Sequence, residues 1–210
     1  MAKKKSNVDL IIREILLITE VLIEQGLSMN QNYPKSFTKS TKKGPKVIVA
    51  PSGDDFDSRV FFDPELSYSE MYKILIKDNA YNIKLIDGAI LSLYYELSTG
   101  GSVMNHRLIF FPSTELLSLE DDNGMDLSED VYSDIINQNI YPFPLRLDFD
   151  LENAISIDHP ASHLTLGQYK NCRIPATAPV TPLKFIKFIL RNFYYNFYKD
   201  RISVNTFIPV

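Results

Sequence analysis

Apolar residues return near every 3.6 positions over residues 8–25: Leu10, Ile11, Ile15, Ile18, Leu22 and Ile23. That period predicts an amphipathic helix, and Gly26 is placed to end it. Ile12, Leu16, Leu17 and Val21 widen the apolar stripe. A stripe that wide calls for cover on more than one side, from the core or from a partner chain. The pattern then breaks: residues 28–46 are polar, basic and interrupted by Pro and Gly, which reads as a mobile loop. "KVIVA" at 46–50 and "SRVFFD" at 58–63 read as strands on either side of an acidic turn. A second helix is expected from Ser67 to about Lys77. Ser67 is its N-cap, Glu70 completes a capping box, and Met71, Ile74 and Leu75 face inward.

Beyond residue 80 the period changes to two. "NIKLID" at 82–87 predicts a strand, and the runs at 89–98 and 103–112, joined by "TGG", predict a β-hairpin. Residues 127–138 read as an acidic helix with Leu127, Val131, Ile135 and Ile136 on its buried side. "PLRLDFDLE" at 144–152 alternates strictly. Leu145, Leu147, Phe149 and Leu151 point one way, and Arg146, Asp148, Asp150 and Glu152 the other. "HLTLGQY" at 163–169 alternates too. A last helix is expected over 182–199, with Thr181 as cap and Pro182 in the first turn. The sum is an α+β fold: an antiparallel-rich sheet of about five to seven strands with about four helices. We expect a single domain over residues 1–210, with helix 8–25 and the basic loop 28–46 peripheral.

Composition narrows the class. A chain of 210 residues, 45% hydrophobic, supports one sizeable core. The single cysteine, Cys172, excludes an internal disulfide and fits a reducing compartment. Asp9, Arg13, Glu14 and Glu20 interrupt the first apolar run, so it does not read as a signal peptide. No run is long enough to cross a membrane as a helix. These features point to a cytoplasmic protein without membrane contact. The net charge of −4 is uneven: residues 1–49 carry +5, residues 50–143 carry −12 and residues 144–210 carry +3. Basic ends of this kind either steer an anionic partner or are neutralised by the acidic middle within the fold.

Candidate chemistry concentrates in one place. Residues 158–173 hold two of the three histidines, the cysteine and Arg173. If strands 144–152 and 163–169 pair antiparallel with Asp150 opposite His163, their apolar faces agree. Arg146, Asp148, Asp150, His163 and Thr165 then share the opposite face, with His159 on the connecting turn. Asp150 or Asp158 would fix one imidazole. His159 and His163 would act as acid and base, and Arg173 would stabilise an anionic transition state. Such a set suits metal-independent cleavage of a phosphodiester bearing a 2′-hydroxyl. The competing reading is a polar turn whose groups only bond nearby backbone. A metal site using His159, His163, Asp158 and Asp148 is disfavoured, because Pro160 argues against the helix that would place both imidazoles on one face. Cys172 reads more readily as a small apolar residue than as a nucleophile.

On the last helix, Lys184, Lys187 and Arg191 form a basic stripe followed by Tyr194, Tyr195 and Tyr198. A single-stranded nucleic acid fits such a surface, which gains force only if it borders the histidine turn. No P-loop, dinucleotide fingerprint, zincin helix or nucleophile elbow occurs, so no cofactor is expected. "HPASHLTLGQYKNCRIP" followed by "PLKFIKFILRNFY" resembles the C-terminal signature of a bacterial domain-of-unknown-function family, number 2290, specifically over residues 145–198. The resemblance implies a bacterial or mobile-element origin and a single-domain protein, and it carries no residue roles. Two functions follow from the residues themselves. One is a ribonuclease-like protein of a toxin or antiviral-defence system, acting on RNA. The other is a non-enzymatic module of a multi-protein complex, docking a partner or a second copy through residues 8–25.

Overall fold

A computed structural model describes residues 6–51, 61, 63, 65–114, 143–155, 158–167 and 172–202. Helix α1 (Asn7–Glu24) opens on a capping box between Ser6 and Asp9. It closes on Gly26, whose φ of 73° lets Gly26 and Leu27 donate back to the Ile23 and Leu22 carbonyls. Helix α2 (Tyr68–Lys77) carries the expected Ser67–Glu70 capping box. Strands follow as β1 (Ser28–Gln31), β2 (Lys35–Thr41), β3 (Gly44–Ala50), β4 (Ile83–Leu85), β5 (Ile90–Ser98), β6 (Val103–Phe111), β7 (Leu145–Asp150), β8 (Ser162–Leu166) and β9 (Arg173–Ala176). Helices α3 (Pro182–Phe193) and α4 (Tyr195–Arg201) complete the described chain.

The nine strands form one antiparallel sheet in the order β1-β4-β5-β6-β7-β8-β9. The β2–β3 hairpin joins through β3, which pairs the far end of β5. The fold is therefore α+β. One face of the sheet presents Leu91, Leu93, Tyr95, Leu97, Leu108 and Phe110 to α1 and α3 and holds the main core. Ile11, Ile15, Ile18 and Leu22 of α1 belong to that core, so the helix is integral to it rather than peripheral. The opposite face splits in two. Ile90, Ile109 and Phe111 pack under α2 with Met71 and Leu75, while the part formed by β6, β7, β8 and β9 is polar.

Two expectations change. Residues 28–46 are not a loop: they form β1, β2 and the start of β3. Strand β2 buries no side chain, so its sequence has no apolar period to announce it. Its lysines and threonines suit an edge strand, whose charges discourage further pairing. Helix 182–199 is in fact two helices that meet at Tyr194, whose φ of −134° and ψ of 52° leave the helical region. The Tyr194 hydroxyl donates to Asp87 at 2.6 Å, a tertiary bond at a junction with neither Pro nor Gly to mark it. The acidic helix predicted over 127–138 lies outside the described residues, as does most of the strand at 58–63.

Candidate functional site

The alternation of β7 separates two chemistries. Leu145, Leu147 and Phe149 turn toward the main core, and Arg146 and Asp148 turn to the polar face. Strand β8 pairs Leu147 with Leu164, Asp148 with His163 and Phe149 with Ser162. His163 therefore stands opposite Asp148 and not opposite Asp150. The expected pairing put every residue on its correct face but was displaced by two positions. A two-residue slip preserves all faces, so the hydrophobic pattern cannot distinguish the two registers.

Asp148 is the hub of the site. Arg107 Nε donates to its Oδ1 at 3.1 Å, Arg146 Nε donates to its Oδ2, and His163 Nε2 lies 3.6 Å from Oδ2. His163 is 2% exposed and Asp148 7%. His163 Nδ1 lies 2.8 Å from the Pro160 carbonyl. A carbonyl only accepts, so Nδ1 donates, and Nε2 is the nitrogen that faces Asp148. Burial pushes the His163 pKa down, with His159 and Arg173 adding to that. The Pro160 carbonyl and Asp148 act in the opposite sense.

His159 occupies the β7–β8 connection. Ile155 and His159 exchange backbone hydrogen bonds of 2.8 and 3.0 Å. The His159 ring meets the His163 ring edge to face, with centroids 5.0 Å apart. Arg173 opens β9 opposite Thr165, and its Nη1 donates to the Asp158 carbonyl at 3.4 Å. His159 Nδ1 and Arg173 Nε are both buried without a hydrogen-bond partner among the described residues.

Asp150 does different work from that expected. Its Oδ1 accepts from the Glu152 and Asn153 N–H groups, and its Oδ2 from the Asn153 side chain at 2.7 Å. Burial opposes its charge, but these bonds, with His159 nearby, hold the carboxyl below its usual range. Asp150 shapes the turn, and Asp148 is the carboxylate beside the imidazole. From sequence Asp148 was legible on the polar face and as a metal ligand, but not as the partner of His163, and no group of three or more His, Cys, Asp or Glu among the described residues is arranged to hold a metal.

Lys184, Lys187 and Arg191 do not join the site. Phe185, Ile186, Ile189 and Leu190 anchor α3 in the main core, so the basic stripe lies across the sheet from the imidazoles. Arg191 instead stands over the Tyr198 ring at 5.9 Å. Cys172 is a free, half-buried thiol just before β9.

A family profile described as "uncharacterized conserved protein (DUF2290)" matches residues 27–209. The chain belongs to this family. No curated protein and no solved structure matches it. The DUF2290 match begins just after α1 and takes in every strand of the sheet and all the residues of the candidate site.

Proposed function

We propose that this DUF2290 protein is a metal-independent, ribonuclease-like phosphodiesterase. One observation supports this above the others: at one turn, a buried imidazole nitrogen of His159 and a buried guanidinium N–H of Arg173 lack partners among the described residues. A buried polar group left unpaired costs about 1–3 kcal/mol, so such a pair is best explained by a ligand that satisfies both. A phosphodiester does so. Its non-bridging oxygen accepts from Arg173, and its ribose hydroxyl donates to His159.

The unequal settings of the two histidines divide their roles. His159 takes the 2′-hydroxyl proton as the O2′–P bond forms. It returns that proton to the 5′ oxygen as the P–O5′ bond breaks, leaving a 2′,3′-cyclic phosphate. Arg173 balances the charge of the phosphorane. His163 is a positioning residue: its Nδ1 is fixed by Pro160, its Nε2 faces Asp148, and its ring buttresses His159. A setting in a bacterial toxin or antiviral-defence system belongs to the same proposal.

The test is cleavage of end-labelled RNA by purified protein in excess chelator. His159→Ala is expected to lower the rate at least about 100-fold. His163→Gln is expected to lower it less and to move the pH profile of kcat/KM. Undiminished cleavage by His159→Ala, or activity that disappears with the chelator, would overturn the proposal.

A further inference from the structure

The polar face extends beyond the histidine turn. Strand β2 turns Lys35, Phe37 and Lys39 to this face, through their pairing with Ala50, Ile48 and Lys46. Lys46 in turn bridges Glu96 of β5 at 3.1 Å. The hairpin tip carries Lys42 and Lys43, and Lys35, Lys39, Lys42 and Lys43 are all exposed. Two ion pairs fix where this arm lies: Lys43 meets Glu152 at 3.0 Å and Lys46 meets it at 3.3 Å. Glu152 follows Asp150, on the connection that carries His159. Strands β5 and β6 separate β3 from β7, a flat-sheet distance of about 14 Å. The Lys43 and Lys46 side chains reach across it to Glu152. The lysine-bearing hairpin and the histidine turn thus border one face of the sheet, which Arg107, Arg146 and Arg173 share.

We infer that the β2–β3 hairpin is a strand-gripping arm for single-stranded RNA, holding the backbone that leads into the histidine turn. This rests on the phosphodiesterase reading and adds the form of the substrate. Exposed Lys35 and Lys39 on one side of an extended strand present cations to a flexible phosphate backbone, and half-buried Phe37 offers an apolar contact between them.

The experiment measures binding alone. A fluorescein-labelled oligouridylate of about 20 nucleotides is titrated at several salt concentrations against His159→Ala protein, which does not consume it. The same titration is run with Lys35→Ala, Lys39→Ala and Lys42→Ala added together, which leaves the Lys43–Glu152 pair in place. We expect affinity to fall at least tenfold near physiological salt and the salt slope to flatten by about 2, the share of three phosphate contacts on a single strand. Lys184→Ala with Arg191→Ala, on the opposite side of the sheet, is expected to change affinity less than twofold. Unfolding midpoints check that each variant is folded. Equal affinity and slope with and without the hairpin lysines would overturn the inference, as would an equal loss from the Lys184 and Arg191 pair. Cleavage is not read here: lysine-dependent binding without cleavage removes only the catalytic reading, and cleavage with lysine-independent binding removes only the arm.

Discussion

Two residues of the site and one of the core each make a separate prediction. Asp148 is buried between Arg107 and Arg146. Asp148→Asn removes the charge that both guanidiniums face, and a broken buried pair costs about 3 kcal/mol or more. Asp150→Asn keeps an oxygen for the turn N–H groups and is expected to cost less than about 1 kcal/mol. Urea unfolding of the two variants checks these assignments, and an equal or larger loss from Asp150→Asn would contradict them. His106 is the third case. Its Nε2 accepts from the Val180 N–H at 2.8 Å, and burial lowers its pKa to about 4. A lowered pKa in the folded state means that folding favours the neutral ring. The stability it contributes is complete above pH ~6.5, the ordinary histidine value, and is lost as pH falls toward 4. Between pH ~7 and ~4.5 the loss is roughly 2–3 kcal/mol. His106→Gln keeps an acceptor without the titration, so its urea midpoint is expected to fall less over that interval than that of the wild type.

At the scale of elements, caps and periods were legible and edges were not. Ser67 and Glu70 announce α2, and the bonds they form are present: Ser67 Oγ accepts from the Glu70 N–H, and the Glu70 carboxylate from the Ser67 N–H at 2.8 Å. Ser67→Ala is therefore expected to destabilise the protein by about 1 kcal/mol, read as a shift in thermal midpoint. The β5–β6 hairpin and the alternation of β7 were equally plain, because burial on one or both faces writes itself into the sequence. Strand β2 was not, since nothing on it is buried and its partner is a neighbour rather than a core. The break at Tyr194 was hidden for a related reason. It is held by Asp87, more than a hundred residues earlier, and local sequence carries no trace of such a bond.

For the whole molecule, the sheet is a partition. Its apolar face, with α1, α3 and α4, makes the stable body, and its polar face gathers the arginines, the imidazoles and the lysine hairpin. His159, His163 and Arg173, close in sequence, lie near one another in the fold. The α3 stripe does not border them, because that helix packs against the other side of the sheet. Which carboxylate serves His163 depended on register, which periodicity of two leaves open. The central claim is that the polar face cleaves RNA through the 2′-hydroxyl. It is tested most directly with a DNA strand holding a single ribonucleotide, incubated in chelator and followed by analysis of the product ends. The account predicts one cut, on the 3′ side of the ribonucleotide, leaving a 2′,3′-cyclic phosphate that is absent with His159→Ala. Cutting of the all-DNA strand at the same rate, or a product with a free 3′-hydroxyl, would contradict it.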